Sequence, residues 1–346
     1  MANSRTIILV ISLALVAGAI YYLQSQKLER GGMGAEEVVA RDSAAKEAKA
    51  KKYPLAKEIT TPDGFINTDP STGLGTGKVS VSEFIGKKIV LVDFWTYSCI
   101  NCQRTTPYLN AWYEKYKDKG LVIIGVHTPE FDFEKEYENV KRAVEKFGIK
   151  YPVVLDNDYS TWTAYKNRYW PRKYLIDIDG YIVYDHVGEG AYEETEKKIQ
   201  ELLEERKMAL GIGEEIETDI ARPQDMGGID VPQPRTPEIY FGAARNEHLG
   251  KELKLSGDWE IKNEFAENKK AGAKIILRYQ AKNVYFVAGS ESGSKIKILK
   301  DGKLIGETDV REYKLYPIIQ DSDHGTHTLE IIIESPGLRA FTFTFG

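Results

Sequence analysis

Val92-Asp93-Phe94-Trp95-Thr96-Tyr97-Ser98-Cys99-Ile100-Asn101-Cys102-Gln103-Arg104-Thr105-Thr106-Pro107 is the stretch on which the reading of this chain turns. With Ile89-Val90-Leu91 before it, Ile89–Trp95 is a continuous β-branched and apolar run, the pattern of a central strand covered on both faces. A helical pattern follows from about Ile100 to Lys117. A strand that delivers two cysteines to the start of a helix has a chemical purpose. Unpaired N–H groups and the positive end of the helix dipole lie beside Cys99 and favour its thiolate. Cys102, one turn further, faces inward yet stays within reach for a disulfide. The spacing therefore predicts Cys99 as the exposed nucleophile and Cys102 as the resolving thiol.

These are the only cysteines in 346 residues, which excludes a multi-disulfide scaffold, a Cys₄ zinc site and a cysteine-ligated iron–sulfur cluster. Covalent haem needs a histidine where Gln103 stands. No metal and no cofactor is implied. Lys and Arg number 47 against 52 Asp and Glu, a formal charge of −5, so the clustered positive charge of a nucleic-acid binder is missing.

Outward from the cysteines, the segment 53–210 reads as α/β. A strand is expected near Val79–Phe84, buried-strand runs at Leu121–Val126 and Val153–Leu155, and helices near Glu134–Phe147 and Thr161–Tyr169. Lys173–Ile178 and Ile182–His186 flank the Asp179-Gly180 turn, and Glu193–Lys207 closes the segment as a helix of apolar/charged period. Residues 211–236, rich in Gly, Pro and acids, read as a linker. From 237 to 346, eight or nine short strands separated by turn signals, with no helix, predict an all-β sandwich of jelly-roll type.

At the other end, Thr6–Leu23 is an uncharged apolar run preceded by Arg5. At helical rise it reaches about 27 Å, close to a bilayer's hydrocarbon thickness. Residues 1–23 are thus expected to be a transmembrane anchor, with a cleaved signal peptide as the alternative. Either places the remainder outside the cytoplasm. Residues 24–52, rich in Ala, Lys and Glu, read as a charged, partly helical spacer.

VDFW–x₃–CxxC–x₄–P resembles the thioredoxin superfamily pattern. The resemblance implies that Asp93 is the family's buried carboxylate, Trp95 its tryptophan, Pro107 its helix-kinking proline and Pro171 its cis-proline. Trp95, Trp170 and Pro171 then contact substrate. More narrowly, WTYSCINCQRT with GVHTPEF is similar to the TlpA-like thioredoxin domain of DipZ-type proteins, and 237–346 to the carbohydrate-binding-like module of that family. Glu130 matches an active-site glutamate of the TlpA-like relatives, so Asp93 and Glu130 are the candidates for proton handling, and His127 reads as structural. Two departures stand out: Ser98 occupies a position that is tryptophan in thioredoxins, and the family's multi-helix membrane domain is not in this sequence.

The resemblance implies a membrane-tethered, extracytoplasmic thiol–disulfide oxidoreductase. Its substrates would be disulfide-bearing proteins, cytochrome c maturation among its settings, and a separate membrane electron donor of the CcdA/DsbD type would reduce it. A glycan is the ligand such a module would take at the β-sandwich, by stacking on aromatics such as Tyr240, Trp259, Tyr285 and Tyr316, although core packing is the expectation for most of these. Two other readings stay open: a copper-handling assembly factor, and a surface-binding module on an inert thioredoxin scaffold. Nearby motif matches fail. Gly73–Lys78 lacks the first glycine and the Ser/Thr of a phosphate loop, and His324-x-x-His327 lacks a third ligand.

Overall fold

Ile89–Trp95 is fully buried along its whole length and forms strand β2 of a six-stranded sheet. The structure, a computed structural model, describes residues 46–68, 77–213, 215–223 and 235–346. The apolar run Thr6–Leu23 lies outside the described residues, as do most of the spacer and residues 224–234 of the linker. Among the described residues no helix is long and apolar enough to cross a membrane. Residues 46–52 are helical, as the spacer composition implies. The described residues from 54 to 346 pack as one compact unit.

Six strands make the first sheet: β1 (Gly64–Ile66), β2, β3 (Leu121–His127), β4 (Val153–Leu155), β5 (Arg172–Ile176) and β6 (Ile182–Val187). Their order is β1-β4-β3-β2-β5-β6. β2, β3 and β4 run parallel, whereas β1, β5 and β6 add on antiparallel. Helices α1 (Ile100–Tyr116), α2 (Tyr137–Lys146), α3 (Ser160–Ala164) and α4 (Tyr192–Leu210) connect and cover these strands. This is the thioredoxin-like fold, with β2 central and its C-terminal end feeding α1.

Two expectations need correction here. Val79–Phe84 is not a strand: Val79, Val81 and Phe84 are buried through a turn, and the sheet-edge strand is instead β1, too short to show a period. The first part of the expected linker is also packed rather than free. Ile216 is buried, the Ala221 N–H donates to Glu196 Oε2 (2.8 Å), and Gln200 donates to the Asp219 carbonyl (3.2 Å). Glu196, itself buried, accepts from Trp112 and Tyr116 of α1 as well, so a single carboxylate ties α1, α4 and this segment together.

The C-terminal region is all-β. Its strands are β7 (Ile239–Tyr240), β8 (Leu253–Ser256), β9 (Trp259–Ile261), β10 (Ala266–Asn268), β11 (Ala273–Gly289), β12 (Ser294–Lys300), β13 (Lys303–Val310), β14 (Lys314–Ile333) and β15 (Arg339–Phe345). All nine are hydrogen-bonded into one sheet, instead of the two separate sheets of the expected sandwich. The difference lies in β11 and β14, of 17 and 20 residues. β14 runs through Asp323-His324-Gly325, where turn residues predicted a break, and β11 runs through 280–282, the gap between two expected strands. Their mutual register shifts at Ala281/Asn283 and Val284/Tyr285, irregularities of the kind that bend a strand without ending it. The first part of β11 pairs with β8 and its last part with β15, and residues of both parts enter one apolar core.

Candidate active site

Cys99 is the N-cap of α1, with φ −80° and ψ 120°, and its Sγ accepts the Cys102 N–H at 3.4 Å. The cap position aims the orphan donors of the first turn at a sulfur rather than at the usual oxygen. Cys99 is half-buried; its thiol donates to the Trp170 carbonyl at 3.9 Å, and the Trp170–Pro171 peptide is cis. Cys102 is 2% exposed, and burial, with Cys99 adding to it, pushes its thiol well above the usual range. One thiol is therefore presented and the other is held back in the core.

Asp93 sits on β2 in register with Gly125 of β3 and Lys173 of β5. It is buried, its Oδ1 has no hydrogen-bond partner in the protein, and desolvation lifts its carboxyl to about 7 despite the opposing charge of Lys173. Lys173, also buried, is depressed by desolvation and donates to the Gly188 carbonyl (3.1 Å). Asp93 adds to the upward shift of Cys102, so the two groups sense each other inside the core.

Not every expected site residue meets the cysteines. Trp95 is 2% exposed and packs edge-on to His127 at 5.1 Å within the core. Trp170 is half-buried beside Cys99, its indole donating to the Thr128 carbonyl (3.0 Å) and its ring 4.3 Å from Trp162. His127 is buried, and desolvation lowers it to about 3, so it stays neutral. Glu130 points to the C-terminal region: its Oε1 accepts from Tyr240 Oη (2.9 Å) and Arg245 Nη1 (2.8 Å). Burial and then the charge of Glu238 raise it to about 7, against the pull of Arg245.

Sequence reading missed Glu134, which is fully buried beneath the cysteine loop. Its Oε1 accepts from Ser98 Oγ at 2.6 Å and the Ser98 N–H at 3.3 Å, and its Oε2 accepts the N–H groups of Glu130 (2.6 Å) and Phe131 (3.1 Å). Ser98 is thus the small hydroxyl that lets a buried carboxylate grip the residue before Cys99. The departure at 98 was the available signal.

Two family models match the chain: Redoxin over residues 49–203 and "Thioredoxin like C-terminal domain" over 247–346. The thiol-disulfide oxidoreductase ResA of Bacillus cereus is 31% identical over 155 residues, 45% of this chain and 82% of that protein. The chain belongs to the thioredoxin-like thiol–disulfide oxidoreductases. Protein DipZ of Mycobacterium bovis is 34% identical over 325 residues, 88% of this chain but 44% of that protein, so the chain spans less than half the length of that relative. The thiol-disulfide oxidoreductase YkuV of Bacillus subtilis is 29% identical over 37% of this chain and 86% of that protein.

Within this family fold the all-β region sits on the redox loop itself. Ile100, between the two cysteines, is buried in an apolar cluster with Phe131 and with Tyr285, Val287, Leu315 and Phe341 of the C-terminal sheet. Polar contacts frame it: Tyr97 Oη donates to the Tyr313 carbonyl (3.3 Å), Arg104 to Tyr285 Oη (3.2 Å), and the Asp132 N–H to Glu264 (2.9 Å). The aromatics considered as sugar platforms are committed elsewhere. Tyr240 and Tyr285 face the thioredoxin-like region, Tyr316 is buried, and Trp259 packs against the sheet core with its indole donating to the Ser256 carbonyl.

Proposed function

We propose that this chain reduces disulfide bonds of extracytoplasmic proteins by exchange at Cys99. The supporting observation is the asymmetry of the pair: Cys99 capping α1 beside the cis-proline, Cys102 buried one turn behind. The Cys99 thiolate attacks one sulfur of the substrate disulfide, forms the mixed disulfide and expels the other sulfur as a thiolate. Cys102 then loses its proton and attacks the Cys99 sulfur. The substrate leaves as a dithiol and the chain carries a Cys99–Cys102 disulfide. Asp93, ionised for part of the time near neutrality, takes the Cys102 proton in that form.

Re-reduction requires an external dithiol, assigned here to a membrane electron donor of the CcdA/DsbD type. Tethering through residues 6–23 would hold the chain beside it. Apocytochrome c is the substrate class proposed, by analogy with the TlpA-like relatives.

Cys99→Ser is expected to abolish reduction of insulin disulfides, while Cys102→Ser accumulates a stable mixed disulfide with the substrate. Accumulation on neither variant sinks the exchange mechanism. A reduction potential more oxidising than about −150 mV, near the strong-oxidant end of the family range, overturns the reductive direction.

A further inference from the structure

The attacked sulfur must come within bonding distance of Cys99, so the residues attached to it occupy whatever space adjoins Cys99. One side of that space is closed, because Ile100 is clamped under the C-terminal sheet. The other leads past Trp170, whose carbonyl accepts the Cys99 thiol, to a cavity of about 410 Å³ that Cys99 itself does not line, a size typical of ligand sites. Asn101 and Arg104 of α1, Trp170 and Glu189 form its thioredoxin-like wall. Thr236, Pro237, Glu238 and Phe345 form the opposite wall, which the family fold does not itself possess. That wall is firmly held. Thr236 Oγ1 accepts the Gln280 N–H (2.6 Å), and β7, directly after it, pairs with β15.

Two of the three acids in and around the cleft sit in ion pairs and one does not. Arg104 pairs with Glu189 (3.2 Å), and Arg245, at the rim, pairs with Glu130 (2.8 Å). Glu238 is exposed, is in no ion pair among the described residues and shares with Glu130 the single proton of the Tyr240 hydroxyl, 2.8 Å away.

Resting on the exchange reading above, we propose that this two-walled cleft is the subsite for the polypeptide flanking the target cysteine, and that Glu238 selects a lysine or arginine there. The C-terminal region is then part of the substrate site, and specificity comes from a residue outside the thioredoxin-like fold.

The test uses the reduced full chain and disulfide-linked dimers of short peptides with lysine, glutamine or glutamate on both sides of the cysteine. Rates should fall in that order, with lysine up to about fivefold over glutamate, the most that a single partly exposed ion pair is expected to give. Glu238→Gln should shrink the ratio and Glu238→Lys should invert it. Equal rates in the native chain, or a ratio that neither variant alters, overturn the assignment. The neutral dipyridyl disulfide, tested on the native chain, separates the two levels. Release of pyridinethione leaves the exchange reading standing whatever the peptides show, whereas no release removes that reading and the cleft assignment with it.

Discussion

Asp93 carries most of the acid–base character of the site. Its carboxyl is lifted from the ordinary carboxylate range to about 7 because burial disfavours the charge more than Lys173 favours it. A group raised on folding stabilises the native state most at low pH, and that contribution is lost as pH rises through the folded value. Asp93→Asn should therefore gain stability relative to the native chain between about pH 5 and pH 8. Thermal melts at the two values check this. The same variant should slow the Cys102 resolving step by about 10–100-fold near neutrality and remove its inflection near pH 7, measured by rapid-mixing kinetics of mixed-disulfide decay. The two cysteines at a helix start were legible from the strand run that precedes them, and the burial of Asp93 from the family resemblance. Glu134 and Lys173 were not. Glu134 acts through contacts with Ser98, a residue 36 positions away, and no local period encodes that.

At the level of elements, the short turn at Asp132–Lys135 holds the cysteine loop through Glu134. Glu134→Ala strands the Ser98 hydroxyl and three backbone N–H groups in the interior and should cost about 2–4 kcal/mol. Glu134→Gln keeps an acceptor for Ser98 but turns a donor toward the other N–H groups, so it recovers only part of the loss. Urea unfolding gives the cost, and faster alkylation of Cys99 in the alanine variant reports the loosened loop. Elements with strong periodic or apolar runs, β2, β3 and α4, fall where their residues indicate. Val79–Phe84 misleads because a turn can bury alternating side chains as a strand does. In β14 the turn-forming residues Asp323-His324-Gly325 are absorbed by irregular pairing with β11, which only the partner strand determines.

Across the whole molecule, the join between the two regions is made of aromatic rings. Phe341 lies 4.7 Å from Phe133 and 5.1 Å from Phe131, and its own strand is central to the C-terminal sheet. Phe341→Ala should cost about 3–5 kcal/mol. The cores of the two regions are separate clusters, so the loss should fall on the join. Faster limited proteolysis within residues 211–236, with both halves still folded, is the expected readout. Sequence reading found both regions and the chemistry of the first. It could not show that they share a site, since that depends on side chains 110–216 positions apart meeting in space.

β7 and β15 are paired although about a hundred residues separate them, Tyr240 opposite Thr342 and Ile239 opposite Phe343. The segment that walls the cleft therefore has its backing only when the last strand has been seated. A newly made chain would present its thiols before it could choose among partners, and discrimination would be the final property it acquires.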